Sequence, residues 1–217
     1  MRSIYDFIVS PKKSRYNNTK KVGDKELILN TEIFNHQYVS REAIIKQVPL
    51  AIKTKIKVGD TVIVHHNVFR RWHDVRGIEK NSKSYIDENT YAVRDDQIFA
   101  YKRDKLKKTN TCGGNVLVHV DGKWKAMSGY CFVKPIKAND KFYVKKERSL
   151  VGIMKYTDYN LPGIKNGDLV GFTPSSEYEF IINGERLYRV LTTEISIKYE
   201  YQGDEEEYNP SWTQSGR

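Results

Sequence analysis

The chain has 217 residues, 39% of them hydrophobic and 29% charged, a balance that excludes a disordered chain and leaves room for one large or two small domains. Its formal charge of +10 favours polyanions or acidic protein surfaces as partners without choosing between them. No apolar run is long enough to span a membrane, and the start MRSIYDFIVSP is too short and too charged for a signal peptide.

In chain order, the first strands are predicted at Ile4–Ser10 (IYDFIVS), Glu42–Val48 (EAIIKQV), Asp60–His66 (DTVIVHH), Thr90–Val93 (TYAV) and Gln97–Lys102 (QIFAYK). Each is a short β-branched or aromatic run bounded by Pro, Gly, Asn or Asp. Val116–Met127 predicts a hairpin turning at Asp121-Gly122. A second series comes next: Tyr130–Ile136 (YCFVKPI), Leu150–Tyr156 (LVGIMKY), Asp168–Phe172 (DLVGF), Glu177–Leu191 with a turn at Asn183-Gly184, and Ile195–Tyr201 (ISIKYEY). Cys112 and Cys131 lie 19 positions apart (131 − 112) and form no CxxC pair, so reduced thiols are expected.

The two series correspond. Gly59-Asp60 with Val62 and Val64 matches Gly167-Asp168 with Val170 and Phe172, an offset of 108 (168 − 60). Tyr91, Val93 and Ile98 match Tyr188, Val190 and Ile195 at offset 97 (188 − 91). Ile8–Pro11 matches Phe132–Pro135 at offset 124 (135 − 11). A shared order with a Gly-Asp turn in the middle predicts an internal duplication. The first copy carries 16 extra residues (124 − 108) between its opening strand and the next, and 11 more (108 − 97) around Phe69–Ser84.

KIKVGDTVIV followed by YAVRDDQIFAYK resembles the GroES-type co-chaperonins, and HHNVFRR with SYIDENTYAV resembles the bacteriophage-encoded variety. Ile4–Pro11 looks like that family's opening strand, Ser40–Lys46 like the strand leaving its mobile loop, Val58-Gly59-Asp60 like its central turn and Asp96–Ala100 like its closing segment. The resemblance implies an all-β fold of two tandem GroES-like small β-barrels, the second divergent. It also implies a mobile loop whose apolar tripeptide docks on a chaperonin, and the matching residues are Leu27, Ile28 and Leu29. The segment between the loop strand and the Gly-Asp turn, Gln47–Lys57, is too short for the cellular family's roof hairpin.

Physical chemistry suits that role. A loop of about 30 residues between strands is unusual and tends to be functional or disordered. KKSRYNNTKKVGDK has little to bury and is expected to stay mobile when free. Each aliphatic side chain of the tripeptide gains roughly 1.5–3 kcal/mol in an apolar groove. Ordering the loop consumes part of that, so several loops on a ring would bind by avidity. The competing reading makes Leu27–Leu29 a buried strand of the barrel continued by Ile33 and Phe34.

Other chemistry is thinly represented. His65, His66, His73 and Asp74 match no common zinc spacing, and adjacent His65 and His66 on a strand would point to opposite faces. CGGN at Cys112–Asn115 reads as a turn, so no nucleotide site, metal or cofactor is expected, and no enzyme activity. Tyr101–Lys108 (YKRDKLKK) and Val133–Lys146 mix Lys with aromatics as single-strand nucleic-acid binders do; the competing readings are a solvated linker and a solvated strand edge.

The sequence thus predicts a first barrel at 1–104 with a mobile loop at about 11–40, a linker and hairpin at 105–127, a second barrel at 128–201, and an exposed acidic, turn-rich tail at 202–217 in which Trp212 could anchor to a neighbour or fold back on its own barrel. The second barrel's matching loop, Lys137–Arg148, is short, basic and without an apolar triplet. The function implied is a co-chaperonin that caps a bacterial host's GroEL-type chaperonin, assembles as a ring, seven-fold or smaller, and assists folding of a client such as a phage capsid protein. It would work in the host cytoplasm. The alternatives are a virion structural protein on the same fold and, more weakly, a nucleic-acid-binding barrel.

Overall fold

The computed structural model describes residues 2–28, 38–111, 114–120, 122–138, 147–158, 160–200, 203 and 205–210; for 20–21, 105–111 and 114–120 it describes the backbone alone. The chain is all-β, built from antiparallel sheets, and divides into two compact units, Met1–Trp124 and Lys125–Arg217.

Unit 1 contains β1 (Phe7–Pro11), β2 (Thr19–Val22), β3 (Lys25–Ile28), β4 (Glu42–Gln47), β5 (Thr61–Val64), β6 (Arg71–His73), β7 (Glu79–Asn81), β8 (Tyr85–Asp87), β9 (Thr90–Val93), β10 (Ile98–Lys102), β11 (Lys105–Thr111) and β12 (Gly114–Val120). Its main sheet runs β10-β5-β4-β1-β9-β8, while β2-β3, β6-β7 and β11-β12 each pair only with one another among the described residues. Unit 2 contains β13 (Lys125–Ala126), β14 (Tyr130–Lys137), β15 (Glu147–Tyr156), β16 (Leu169–Phe172), β17 (Tyr178–Ile182), β18 (Glu185–Leu191) and β19 (Ile195–Lys198). Its sheet runs β19-β16-β15-β14-β18-β17.

These two orders are the same, and so is the register. Val9 pairs with Ile45 and Tyr91; Val133 pairs with Met154 and Tyr188. A bulge falls between Ile8 and Val9 in one unit and between Phe132 and Val133 in the other. Val64 opposes Ile98 as Phe172 opposes Ile195, and each pair is followed by an irregularity. The offsets of 124, 108 and 97 read from sequence therefore align residues that hold equivalent ladder positions, which is the duplication expressed in hydrogen bonds.

The Gly-Asp turns repeat in detail. Gly59 has φ +88° and Gly167 φ +96°, a left-handed conformation that a side chain would strain. The Gly59 amide donates to the Ile45 carbonyl at 2.9 Å and Gly167 to Met154 at 2.7 Å. The Asp60 carboxylate accepts from the Lys57 amide, and Asp168 from the Lys165 amide, both at 2.8 Å. Asp60 is buried and also takes two guanidinium bonds from Arg103, at 2.7 and 2.6 Å. Asp168 is closed by the more exposed Lys198 at 2.7 Å, which holds its carboxyl below the usual range.

Central strands bury both faces. Every residue of β5 is buried, and so is every residue of β16. In unit 2, Val133, Met154 and Val170 join one apolar cluster while Val151, Ile153 and Leu169 join another. Such strands lose the alternation of a one-sided sheet, which is why they read in sequence as continuous apolar runs.

Several expectations change. The sheets are not closed barrels: no pairing joins β8 to β10, or β17 to β19, among the described residues. The hairpin expected at Val116–Met127 lies earlier, because Lys105–Thr111, which includes the Lys105–Lys108 stretch open to reading as a solvated linker, pairs with Gly114–Val120. Asp121 and the residues 112–113 of the CGGN turn lie outside the described residues. Gly122 instead sits against Arg103, where an added Cβ would meet the carbonyl oxygen at 2.1 Å, and its amide donates to Asp104 at 2.9 Å. Asn183-Gly184 does form a two-residue hairpin turn, both residues with positive φ. The acidic tail is pinned along its described part: Lys137 donates its amide to the Glu206 carbonyl and Tyr208 to that of Pro135, both at 2.8 Å. Trp212 and most of the Lys137–Arg148 loop lie outside the described residues.

Asp60→Ala is expected to cost about 3 kcal/mol, because it leaves Arg103 and the Lys57 amide without their carboxylate. Asp168→Ala, facing a half-exposed lysine, is expected to cost only about 1 kcal/mol; urea titrations of the two variants at neutral pH check the order. Burial, seconded by Asp158, pushes the Cys131 thiol up to about 12. It should therefore resist alkylation at pH 8 in the native chain and react once denatured, as mass spectrometry of the peptide would show.

Candidate partner-docking site

The chain leaves the main sheet after Pro11. The Lys12 amide still donates to Glu42 at 3.0 Å, and its ammonium pairs with the Glu42 carboxylate at 2.6 Å. Past Lys12 the excursion begins on an ordered neck. Tyr16 is buried and bridges to Val39, the Asn17 amide donates to Tyr38 at 2.7 Å, and the Ser40 amide donates to Arg15 at 3.0 Å. This neck brings the two ends of the excursion together, so its base is not the structureless loop expected from composition.

Beyond the neck, β2 and β3 form a hairpin around Gly23-Asp24, with Gly23 at φ +62°. Leu27 pairs with Lys20 and Ile28 with Thr19 across the ladder. Leu27 is 50% and Ile28 67% exposed. The reading of these two as a buried barrel strand does not hold, since β3 belongs to no larger sheet among the described residues. Leu29, Ile33 and Phe34 lie outside the described residues.

The second surplus segment stands on the same root. The Arg15 guanidinium donates to the Phe69 carbonyl at 2.7 Å and the Arg70 carbonyl at 3.3 Å. The Tyr16 hydroxyl accepts from the Arg71 amide at 2.8 Å, and the Arg71 guanidinium lies 5.0 Å over the Tyr16 ring. Arg15 also faces the rings of Tyr85 and Tyr91, at 5.4 and 5.6 Å. Burial lowers the Arg15 pKa and raises that of Tyr91, while their mutual attraction opposes both shifts. Sequence reasoning passed over Arg15, Tyr16 and Arg71. The available signal was Tyr16, the lone aromatic in a polar stretch; its partner is 55 positions away.

Other candidate residues take different places. His65 and His66 do not point apart: their rings stack at 4.3 Å, because β5 ends at Val64 and His66 opens a 3-10 turn. The His65 Nδ1 accepts from the Asn67 amide at 3.1 Å. Among the described residues, no group of three His, Cys, Asp or Glu side chains could hold a metal ion. Nor is any described helix long and apolar enough to cross a membrane.

Four cations of the basic motifs, Lys102, Arg103, Lys134 and Lys137, are paired within the chain. Lys102 is buried, 5.5 Å over the Trp124 ring and 3.6 Å from Asp104, and Arg103 is bound to Asp60. Lys134 is buried between Glu185 and Glu207, and Lys137 pairs with Glu206. A cavity of about 550 Å³ near β6 is lined by Arg70, Trp72, Lys83 and Gln97 among others, with no carboxylate, imidazole or thiol.

A scan against protein-family models finds no match to this chain, and a search of curated proteins finds no significant relative.

Tyr16→Phe should cost about 1 kcal/mol, since it leaves the Arg71 amide without its acceptor. Hydrogen exchange should show faster exchange at Arg71, with little change at the Ile45 amide in the main sheet.

Proposed function

We propose that the chain is a co-chaperonin of the GroES type, built as two tandem copies of that fold, which caps a GroEL-type chaperonin through the β2–β3 hairpin and assists ATP-dependent folding of a client protein. The observation that carries this reading is the exposure of Leu27 and Ile28 on a hairpin held off the main sheet by a buried neck. An apolar pair with no core of its own is stabilised only by a partner surface, and an extended segment can offer both side chains and backbone to a groove. The hairpin lies in the surplus of unit 1, so unit 2 supplies the architectural copy.

The equivalent strand order of the units supports tandem copies of one fold, and the resemblance of Val58-Gly59-Asp60 and Asp96–Ala100 supplies the family. The ion pairs of Lys102, Arg103, Lys134 and Lys137 favour this reading over nucleic-acid binding through those four cations. Ring assembly would multiply weak hairpin contacts. The setting is the cytoplasm of a bacterial host, with a phage capsid protein as the client to try first.

Substituting Leu27, Ile28 and Leu29 by Ser should abolish ATP-dependent co-migration with a bacterial chaperonin and the associated client refolding. The melting temperature should barely move, because Leu27 and Ile28 contribute little buried surface. Unchanged binding and refolding in that variant would sink the proposal.

A further inference from the structure

We infer that the β6–β7 hairpin is a second docking arm, seating Val75 and Ile78 on the same chaperonin ring that the β2–β3 hairpin is proposed to grip; the inference rests on that proposal. Scattered exposed aliphatics are ordinary on protein surfaces. Three features set this pair apart.

The first is placement. Among the described residues β6 and β7 pair only with each other, in the segment by which unit 1 exceeds unit 2. Val75, at its apex, is fully exposed and Ile78 is 51% exposed. Neither side chain adds appreciably to the core of its own unit.

The second is preorganisation. The Asp74 carboxylate accepts from the amides of Arg76 and Ile78, each at 2.9 Å. The Asp74 amide donates to the Ile78 carbonyl and the Gly77 amide to that of Asp74, also at 2.9 Å. Lys80 closes on Asp74 at 3.6 Å. The apex is therefore built before any partner arrives, and an aliphatic residue held on a fixed turn loses little entropy on binding.

The third is the shared root. Tyr16 and Arg15, which form the neck of the β2–β3 excursion, hold the Phe69–Arg71 backbone from which β6 starts. Both arms leave unit 1 from one hydrogen-bonded node, so a partner that engages one restrains the other. Charge narrows the occupant. The segment 70–83 carries Arg70, Arg71, Arg76, Lys80 and Lys83 against Asp74 and Glu79. It fits an apolar seat rimmed by acidic side chains on the chaperonin.

The test uses the full-length chain, a bacterial chaperonin and ATP, with affinity and native mass measured for three variants: Val75→Ser/Ile78→Ser, Arg76→Glu, and the Ser triplet at Leu27–Leu29. The tip variant should bind about tenfold more weakly, with an unchanged melt and an unchanged native mass without chaperonin. Arg76→Glu should weaken binding and flatten its salt dependence, which keeps the inference testable if the double variant folds poorly. Wild-type affinity in both tip variants, alongside loss in the triplet, would overturn the second arm and leave the proposed function standing. Wild-type affinity in the triplet, or no binding by the unmodified chain, would overturn both. A tip variant that binds the chaperonin normally but has a lower native mass would assign the arm to contacts between copies of this chain, against the inference.

Discussion

Asp60 sits where the two halves of the unit 1 ladder must be joined. Its amide and carboxylate shape the turn that returns the chain from β4 to β5, and the carboxylate binds Arg103, just past β10. One buried charge thus ties the consecutive strands β4 and β5 to β10, which is distant in sequence. A carboxylate so buried is tolerable only because a bidentate guanidinium and a backbone amide replace its water. The same device recurs at Asp168 with a weaker closing cation.

Because the ladder is held this way in both units, extra chain can be spliced between strands without disturbing register. Unit 1 uses that freedom twice. In its described residues each excursion carries a two-stranded hairpin, and both are fastened at the base by Arg15 and Tyr16. Apart from that base, Leu27, Ile28, Val75 and Ile78 of the two hairpins lie half or more exposed. Their exposed aliphatic residues are what a surface gains from such splices.

Unit 2 bears no comparable arm in its described residues, and several of its charged side chains pair with one another. Arg186 binds Glu147, Glu179 and the Tyr188 hydroxyl, while the tail lays Glu206 and Glu207 on Lys137 and Lys134. Of the basic motifs' cations, Lys102, Arg103, Lys134 and Lys137 are each paired with a carboxylate at short range. The cations of 70–83 pair only in part, chiefly Arg71 with Glu79 and Lys80 with Asp74.

The strands were legible wherever β-branched runs met Gly, Asn or Pro, as at Thr90–Val93 and around Asn183-Gly184. The duplication was legible too, since ladder registers repeat at the sequence offsets of Gly59-Asp60, Tyr91 and Pro11. These features are local, set by turn chemistry and by the two-residue period of a strand. The pairing of Lys105–Thr111, the stacking of His65 on His66, the pinned tail and the Arg15–Tyr16 node emerged only with the fold. Each depends on a partner or a chain reversal that side-chain pattern does not encode: a lysine-rich strand has no apolar period, and a tyrosine in a polar stretch does not announce a carbonyl or amide 55 residues away. Residue pattern was enough to locate apolar chain without a core, at Leu27 and Ile28, because apolar side chains amid lysines and turn formers have nothing local to bury against. Only the fold supplied the buried neck, closed by pairing of Tyr16 with Val39, on which the self-paired hairpin holds those side chains out to solvent.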